Sequence, residues 1–489
     1  MSNQSRRAFL KTGALFGAVA GFVGLKPQAA KALAEPLPPL PFRGPSANDS
    51  DSLRGVLGTP DDPYYPEPPP RINNGLAFSR RVSSRPRPIG KIPIMQGATS
   101  QTETQFRILI KTNRAYRYNV VDPQGVKRAV APRARAGVPT SQSAIDHVFV
   151  DNLKPDTTYT LEVEAVGAGV ANELRQFSTM SAKSAVGDTL RVALISCLND
   201  RYVDDQGAMW AAVAKSTPEL MIFNGDCCYV DQRNDGTVEG MWDRHVQTRE
   251  MLDVFKWDQL VPILTTWDDH DTGENDADMY APYLKAARDN FNSMFKSDPV
   301  AGYTATAGLD FAFNAYGMRF IFLDDRSNKT DGQMFSQPDE QWLKNQIISS
   351  PGPIWLINGT QYFGGYLMGA ESVEDTAAQQ LYRIMGMGKS AKVPMVLCSG
   401  DVHFSELMEL EPELMGYKSY ELCSSALHSR TVPGQQYRSY NKRRLESTSR
   451  YNFMSIEMRA TDPTRVEFEV ACLGASDQEF FRLKTTVKR

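Results

Sequence analysis

From residue 190 onward the chain keeps returning to one pattern, a short apolar run that stops at a cluster of polar residues. The run 190–195 ends in Ser196-Cys197, 220–223 in Asn224-Gly-Asp-Cys-Cys-Tyr229, and 261–264 in Thr265-Thr-Trp-Asp-Asp-His-Asp271. Further along, 319–323 runs into Asp324-Asp-Arg326, 354–357 into Asn358-Gly-Thr-Gln361, and 394–397 leads to Ser399-Gly-Asp-Val-His403. Runs this short and this apolar read as buried strands. Helical patterns lie between them: 206–215 puts Met209, Trp210 and Val213 on one face, and others fall at about 338–349 and 373–388. Strand, helix and strand in this order make a right-handed crossover, so the segment is predicted to be α/β. In α/β sheets ligands bind outside the carboxyl ends of the strands, and six polar strand ends are therefore expected along one edge.

That edge would gather Cys197, Asp226, Tyr229, Asp268, Asp269, His270, Asn358, Asp401 and His403. Carboxylates so crowded repel one another and resist ionisation unless cations sit between them. A thiolate, a phenolate, a carboxylate and an imidazole suit a strongly Lewis-acidic transition metal. Carboxylates with an amide oxygen suit a harder ion such as calcium or manganese. A shared aspartate is the natural bridge between two such ions.

Upstream the pattern differs. Residues 92–179 hold alternating runs, including 105–110, 147–150 and 158–164, separated by turns with no long helical stretch, which predicts a small β-sandwich. Its segment Leu153-Lys-Pro-Asp-Thr-Thr-Tyr159 resembles the tyrosine corner of fibronectin type III-like domains, in which the hydroxyl pins the turn. Residues 35–88 are proline-rich and aperiodic, an extended segment. At the start, Ser5-Arg-Arg-Ala-Phe-Leu-Lys11, an apolar stretch at 12–25 and Ala32-Leu-Ala34 read as a twin-arginine signal peptide, 1–34, with a cleavage site. The protein is thus expected to be periplasmic or secreted, to meet the Tat translocon during export, and to have no stable membrane span after cleavage.

Loss of the five leader cations Arg6, Arg7, Lys11, Lys26 and Lys31 takes the formal charge from −3 to −8, which argues against binding to a nucleic-acid backbone. The six cysteines have neither regular disulfide spacing nor a C-x-x-C zinc pattern. Cys227, Cys398 and Cys423 read as buried packing thiols, His147 and His428 as structural or surface histidines, and His245 stays open.

The ordered motifs together resemble the PhoD-like alkaline phosphatases of the calcineurin-like metallophosphoesterase superfamily, from about residue 92 to the C-terminus. Ser196-Cys197 stands where most of that superfamily has Asp-x-His, and this is a hallmark of the PhoD-like branch. Gly225-Asp226-Cys-Cys-Tyr229 resembles that branch's second motif, Trp267-Asp-Asp-His270 occupies the Gly-Asn-His position, and Gly400-Asp-Val-His403 resembles the last motif. The resemblance implies a fibronectin type III-like β-sandwich at 89–182. It implies an α/β metallophosphoesterase domain, β-sheets flanked by helices, at 188–489. It further implies ferric iron (Fe3+) on Cys197, Asp226, Tyr229 and His403, calcium (Ca2+) on Asp226, Asp269, Asn358 and Asp401, and a further calcium without an assigned position. His270 would face the leaving oxygen, and Arg326 would contact phosphate unless it pairs with Asp324 or Asp325. Two departures stand out: Asn358 and Gln361 are adjacent in the usual form, which could move Asn358 off the ion, and Cys227-Cys228 replace bulkier residues.

The expected activity is hydrolysis of phosphate monoesters or diesters in a small phosphoester substrate, by attack of a metal-bound hydroxide. The alternatives are a phospholipase D-like phosphodiesterase and a non-catalytic exported binding protein stabilised by metals.

Overall fold

The computed structural model describes residues 91–489 except 168, 170, 182–185, 232–236, 365–370, 432–433 and 439–440. The signal peptide and proline-rich segment expected over 1–34 and 35–88 lie outside the described residues.

The first eight strands are β1 (Ile94–Gln96), β2 (Thr104–Lys111), β3 (Tyr116–Val121), β4 (Lys127–Val130), β5 (Pro132–Ala136), β6 (Ser143–Val150), β7 (Thr158–Ala165) and β8 (Glu173–Ser178). They form two four-stranded antiparallel sheets, in the orders β1-β2-β6-β5 and β4-β3-β7-β8. A two-residue period puts Tyr159, Leu161 and Val163 of β7 inward, against Phe106, Ile108, Val148 and Phe177. The Tyr159 hydroxyl accepts the Lys154 backbone N–H at 2.9 Å, tying the turn to the strand. Tyr159→Phe is expected to lower stability by about 1 kcal/mol, read as a shifted urea midpoint. An unmoved midpoint would mean the turn holds without this bond.

The remainder contains β9 (Leu190–Ile195), β10 (Leu220–Asn224), β11 (Ile263–Thr266), β12 (Tyr303–Ala305), β13 (Phe311–Ala315), β14 (Met318–Phe322) and β15 (Ile354–Ile357). It continues with β16 (Met395–Ser399), β17 (Ser405–Leu410), β18 (Ser419–Cys423), β19 (Arg444–Thr448), β20 (Phe453–Asp462), β21 (Arg465–Leu473) and β22 (Glu479–Lys488). Its principal helices are α1 (Val203–Lys215), α2 (Val238–Met251), α3 (Asp269–Thr272), α4 (Leu284–Met294), α5 (Gln337–Ile348) and α6 (Val373–Ser390). All six predicted strands and all three predicted helices are present.

The strand ends are arranged differently from the expectation of a single edge. β9, β10 and β11 lie parallel in a six-stranded sheet ordered β11-β10-β9-β20-β21-β22, while β14, β15 and β16 lie parallel in an eight-stranded sheet ordered β12-β13-β14-β15-β16-β18-β17-β19. The cause is antiparallel β20, which takes the edge of β9 and closes the first parallel set at three strands. Alternation then gives each strand of the first sheet two apolar faces. Val192, Leu194, Ile222 and Leu264 share a core with Phe320, Phe322, Leu356 and Leu397 of the second sheet. Ala193, Ile195, Met221 and Phe223 pack instead against Trp210 and Val213 of α1 and Trp242 of α2.

The polar ends of the two sheets meet directly. Trp267 Nε1 donates to Asp324 Oδ1 at 2.8 Å, and Ser424 Oγ donates to the Leu194 carbonyl at 2.8 Å. Two glycines make the approach possible. A Cβ on Gly225, whose φ is +92°, would lie 3.0 Å from Gly359 Cα past the end of β15, and one on Gly400 would lie 2.5 Å from the Asn224 carbonyl oxygen. Among the described residues no helix is long and apolar enough to cross a membrane.

Candidate metal centre

Four of the predicted ligands leave their strands in the left-handed backbone region: Cys197 (φ 57°), Asp226 (φ 53°), Asp401 (φ 72°) and His403 (φ 54°). This conformation is uncommon for residues other than glycine, and it clusters at sites where the surroundings over-determine the chain. Here it turns the side chains inward at the sheet junction, where all four are buried.

Cys197 Sγ lies 3.5 Å from Asp226 Oδ2, and Tyr229 Oη lies 3.2 Å from the same oxygen and 3.0 Å from His403 Nε2. Cys197, Asp226 and His403 offer donor atoms within 4.8 Å of one another. Burial, followed by the Asp226 charge, pushes the Cys197 thiol well up. Burial, followed by neighbouring His270, pulls His403 down to about 3, so its imidazole is neutral and able to ligate. Ser425 Oγ sits 3.1 Å from Cys197 Sγ and accepts the His403 backbone N–H at 2.8 Å, fixing both tips.

On the other side of Asp226 lie two overlapping groups, Asp226 with Asp269 and His270, and Asp268 with Asp269 and Asp401. Burial raises Asp226 to about 7, with Asp269 adding to the rise and His270 opposing it. Asp401 is lifted well above the carboxylate range by burial and by Asp268 and Asp269. Asp269 goes the other way: burial would raise it, but His270 and Arg326 outweigh burial and hold it at about 2. Asp269 Oδ1 also accepts the His270 N–H and its Oδ2 the Asp276 N–H, each at 2.7 Å.

Asn358 is buried just past the end of β15, with two residues between it and Gln361. Its Nδ2 donates to the Thr360 carbonyl at 2.7 Å, and its Oδ1 is buried without a hydrogen-bond partner. Gln361 turns away and donates to Glu406 at 2.5 Å. Asp226 Oδ1, Asp268 Oδ2 and Asp401 Oδ2 are likewise buried and unpartnered. Three orphaned carboxylate oxygens in one buried cluster would cost several kcal/mol as they stand. Hard cations bound there would satisfy them, so the donor set fits a soft and borderline group on one side of Asp226 and an oxygen group on the other.

Arg326 is fully buried, and of the two partners expected for it only Asp325 pairs with the guanidinium, loosely, with Nε 3.9 Å from Asp325 Oδ1. Its Nε donates to Asp268 Oδ1 at 2.6 Å, Nη1 to Glu371 at 3.2 Å and to the Ala277 carbonyl at 3.3 Å, and Nη2 to Thr360 Oγ1 at 2.9 Å. Asp324 instead accepts the backbone N–H groups of Arg326 and Ser327. Arg326 thus lies behind the carboxylate row and braces Asp268. Asp271 braces the loop differently, accepting from the Cys227, Cys228 and Asp268 N–H groups at 2.8–3.1 Å.

Sequence reasoning missed several groups. Asp231 lies 3.0 Å from His270 Nδ1, and the Tyr229 ring packs on the His270 ring with centroids 4.1 Å apart. Ser425, Ser429, Asp276, Glu371 and Lys329 also surround the site. Asp231 alone carried a signal, an acid two residues beyond Tyr229 in the same strand-end loop. His245 lies outside the cluster on α2, where burial and two arginines pull it down to about 3. His147 Nε2 is 3.0 Å from the Ser293 carbonyl, His428 Nδ1 is 3.1 Å from the Asn199 carbonyl, and all six cysteines are buried and free of disulfides.

No protein-family model matches the chain, and no curated protein matches it in sequence. Solved structures do. The structure of PhoD superposes with a TM-score of 0.63 at 16% identity, over 81% of this chain and 88% of that one. A purple acid phosphatase isolated from yellow lupin (Lupinus luteus) seeds superposes with a TM-score of 0.54 at 12% identity, over 82% of this chain and 74% of that one. The chain therefore has the fold common to PhoD and the purple acid phosphatase, with its candidate metal centre at the junction of the two sheets.

Proposed function

We propose that the protein is a metal-dependent phosphoesterase of the PhoD-like kind, exported to the periplasm or beyond, acting on small phosphate monoesters or diesters. The observation that carries this reading is the pair of donor groups sharing Asp226. Cys197, Tyr229 and His403 stand on one side and Asp269 and Asp401 on the other, with orphaned carboxylate oxygens among them, and Asn358 is read as a further ligand on the second side. This donor chemistry suits a Lewis-acidic transition metal on the first side and a hard ion on the second, and the likeness to PhoD makes iron and calcium the ions proposed. Cations held there would supply Lewis acidity to a phosphoryl oxygen and to the attacking water.

The chain's own residues supply the remainder. Asp231 at Nδ1 fixes the His270 ring, which leaves Nε2 to offer a proton to the departing oxygen. Arg326 holds Asp268 in place beside Asp269 and opposes the burial that raises the Asp268 carboxyl well above its usual range, and so acts through Asp268 rather than by touching phosphate. The buried setting strengthens each of these interactions by excluding water. The preceding sandwich is read as a fibronectin type III-like module, and the leader at 1–34 as the address for the Tat translocon.

The test is a paired initial-rate assay on a chromogenic phosphomonoester and a phosphodiester, with exported protein of measured metal content, before and after chelation. Turnover is expected on at least one substrate and is expected to fall on the order of 10²-fold or more on chelation. The diester-to-monoester ratio separates the phosphatase from the phospholipase D-like alternative. Absence of turnover on both, from protein shown to hold its metals, would sink the enzyme reading in favour of a binding protein.

A further inference from the structure

Beside the metal centre lies a third group of acids that already contains a cation. Asp269, Asp276 and Glu371 bring carboxylate oxygens within 4.8 Å of one another. Lys329, with no exposed side-chain surface, reaches into this group: its Nζ contacts Glu371 Oε1 and donates to the Asp276 carbonyl at 3.1 Å. The second oxygen of Glu371 takes the Arg326 contact, and the Asp276 N–H takes Asp269 Oδ2. The Lys329 carbonyl accepts the Met279 N–H at 3.0 Å, so the same residue also holds the loop that follows α3.

A fully buried lysine is rare unless it is paired, because removing an ammonium from water costs several kcal/mol. Two buried carboxylates and a half-buried one at this spacing carry the opposite problem. Each group answers the other. The ligand types around Nζ, the Glu371 carboxylate and a main-chain carbonyl, are those that otherwise collect around a hard divalent ion.

We propose that Lys329 is a resident cation of the metal centre, a positioning residue that takes the charge role of an additional divalent ion and, through Asp276 and Glu371, holds Asp269 toward its metal. This rests on the metal-centre reading above. It follows that Lys329→Ala exposes a hole lined by Asp269, Asp276, Glu371 and the Asp276 carbonyl, and that a calcium ion enters it.

The experiment counts calcium and transition metal per chain, by elemental analysis of the exported protein equilibrated in calcium buffer, for wild type, K329A and the double variant K329M/E371Q. Turnover is measured on the same samples with and without methylammonium. K329A is expected to hold one more calcium per chain than wild type. In calcium-poor buffer its turnover should fall about 10–100-fold, the range for losing a group that orients a ligand, and methylammonium or millimolar calcium should restore much of it. K329M/E371Q, which removes one charge of each sign, is expected to keep the wild-type metal count and to lose less turnover than K329A. A wild-type metal count in K329A with no response to either cation overturns the proposal, and so does a double variant as impaired as K329A. Should K329A fail to fold, recovery of folding and turnover in the double variant supports the proposal, and its failure in the same way overturns it. Wild type that holds no metal and shows no chelator-sensitive turnover would instead sink the metal-centre reading itself.

Discussion

Asp226→Asn is expected to cost at least ~10³-fold in turnover, about 4 kcal/mol of transition-state stabilisation, together with the loss of both bound ions. Asp226 is the one carboxylate common to both donor groups: its Oδ2 faces Cys197 and Tyr229, and its Oδ1 is buried without a partner. Asparagine keeps the shape, removes the charge and turns one oxygen into an amide nitrogen that cannot ligate. The backbone tolerates the exchange, since asparagine adopts the left-handed region more readily than most residues and Asp226 sits there at φ 53°. A variant that keeps both metal equivalents by elemental analysis and more than a tenth of the rate would show that Asp226 is not the bridge.

The same substitution has a signature in the metal-free protein. Burial raises Asp226 from 3.8 to about 7, so between these values the folded chain binds a proton that the unfolded chain releases. Stability of the metal-free wild type should therefore rise as pH falls across that window, and this contribution should vanish in Asp226→Asn. Metal loading has the opposite sign: ions must displace that proton, so uptake strengthens as pH rises through about 7.

Much of this site was legible because its ligands obey one local rule. Short continuous apolar runs stop at β9, β10, β11, β14, β15 and β16, and the residues just past the ends of β9, β10, β11 and β16 are the ones that meet. That rule says where a strand ends but nothing about which strand lies beside it. The C-terminal strands β17 to β22 therefore went unread, and with them the insertion of β20 beside β9 that divides the edge in two. The same gap explains Arg326. Its neighbours in sequence suggested Asp324 or Asp325 as partners; Asp325 is a partner at 3.9 Å, but the close contact is with Asp268, 58 residues earlier, on the other sheet's tip. Lys329 and Glu371 were invisible for the same reason, since each lies in a loop and only the fold gives it a partner. Asn358 shows the converse: a spacing that looked disruptive was absorbed, because Gln361 swings to Glu406 and the loop closes through Thr360.

His270→Ala is expected to lower kcat by about 10²–10⁴-fold with little change in bound metal, the range for removing a positioned general acid. The argument turns on where the histidine stands relative to the ligands. Its donor atoms fall within 4.8 Å of those of Asp226 and Asp269, yet Nδ1 is taken up by Asp231 at 3.0 Å and the ring is packed against Tyr229. A group held this way is oriented for proton transfer rather than for ligation, so its removal should separate rate from metal content, unlike Asp226→Asn. Asp231→Asn gives an intermediate case. It keeps the ring packed but withdraws the charge that fixes its tautomer, and a smaller loss of about 10–100-fold is expected. Substrates with a good leaving group supply the discriminating measurement, because they need less protonation. The defect of both variants should shrink as leaving-group pKa falls, steeply for His270→Ala and less so for Asp231→Asn. A defect equal across the series, or one that follows metal loss, would assign His270 to ligation instead.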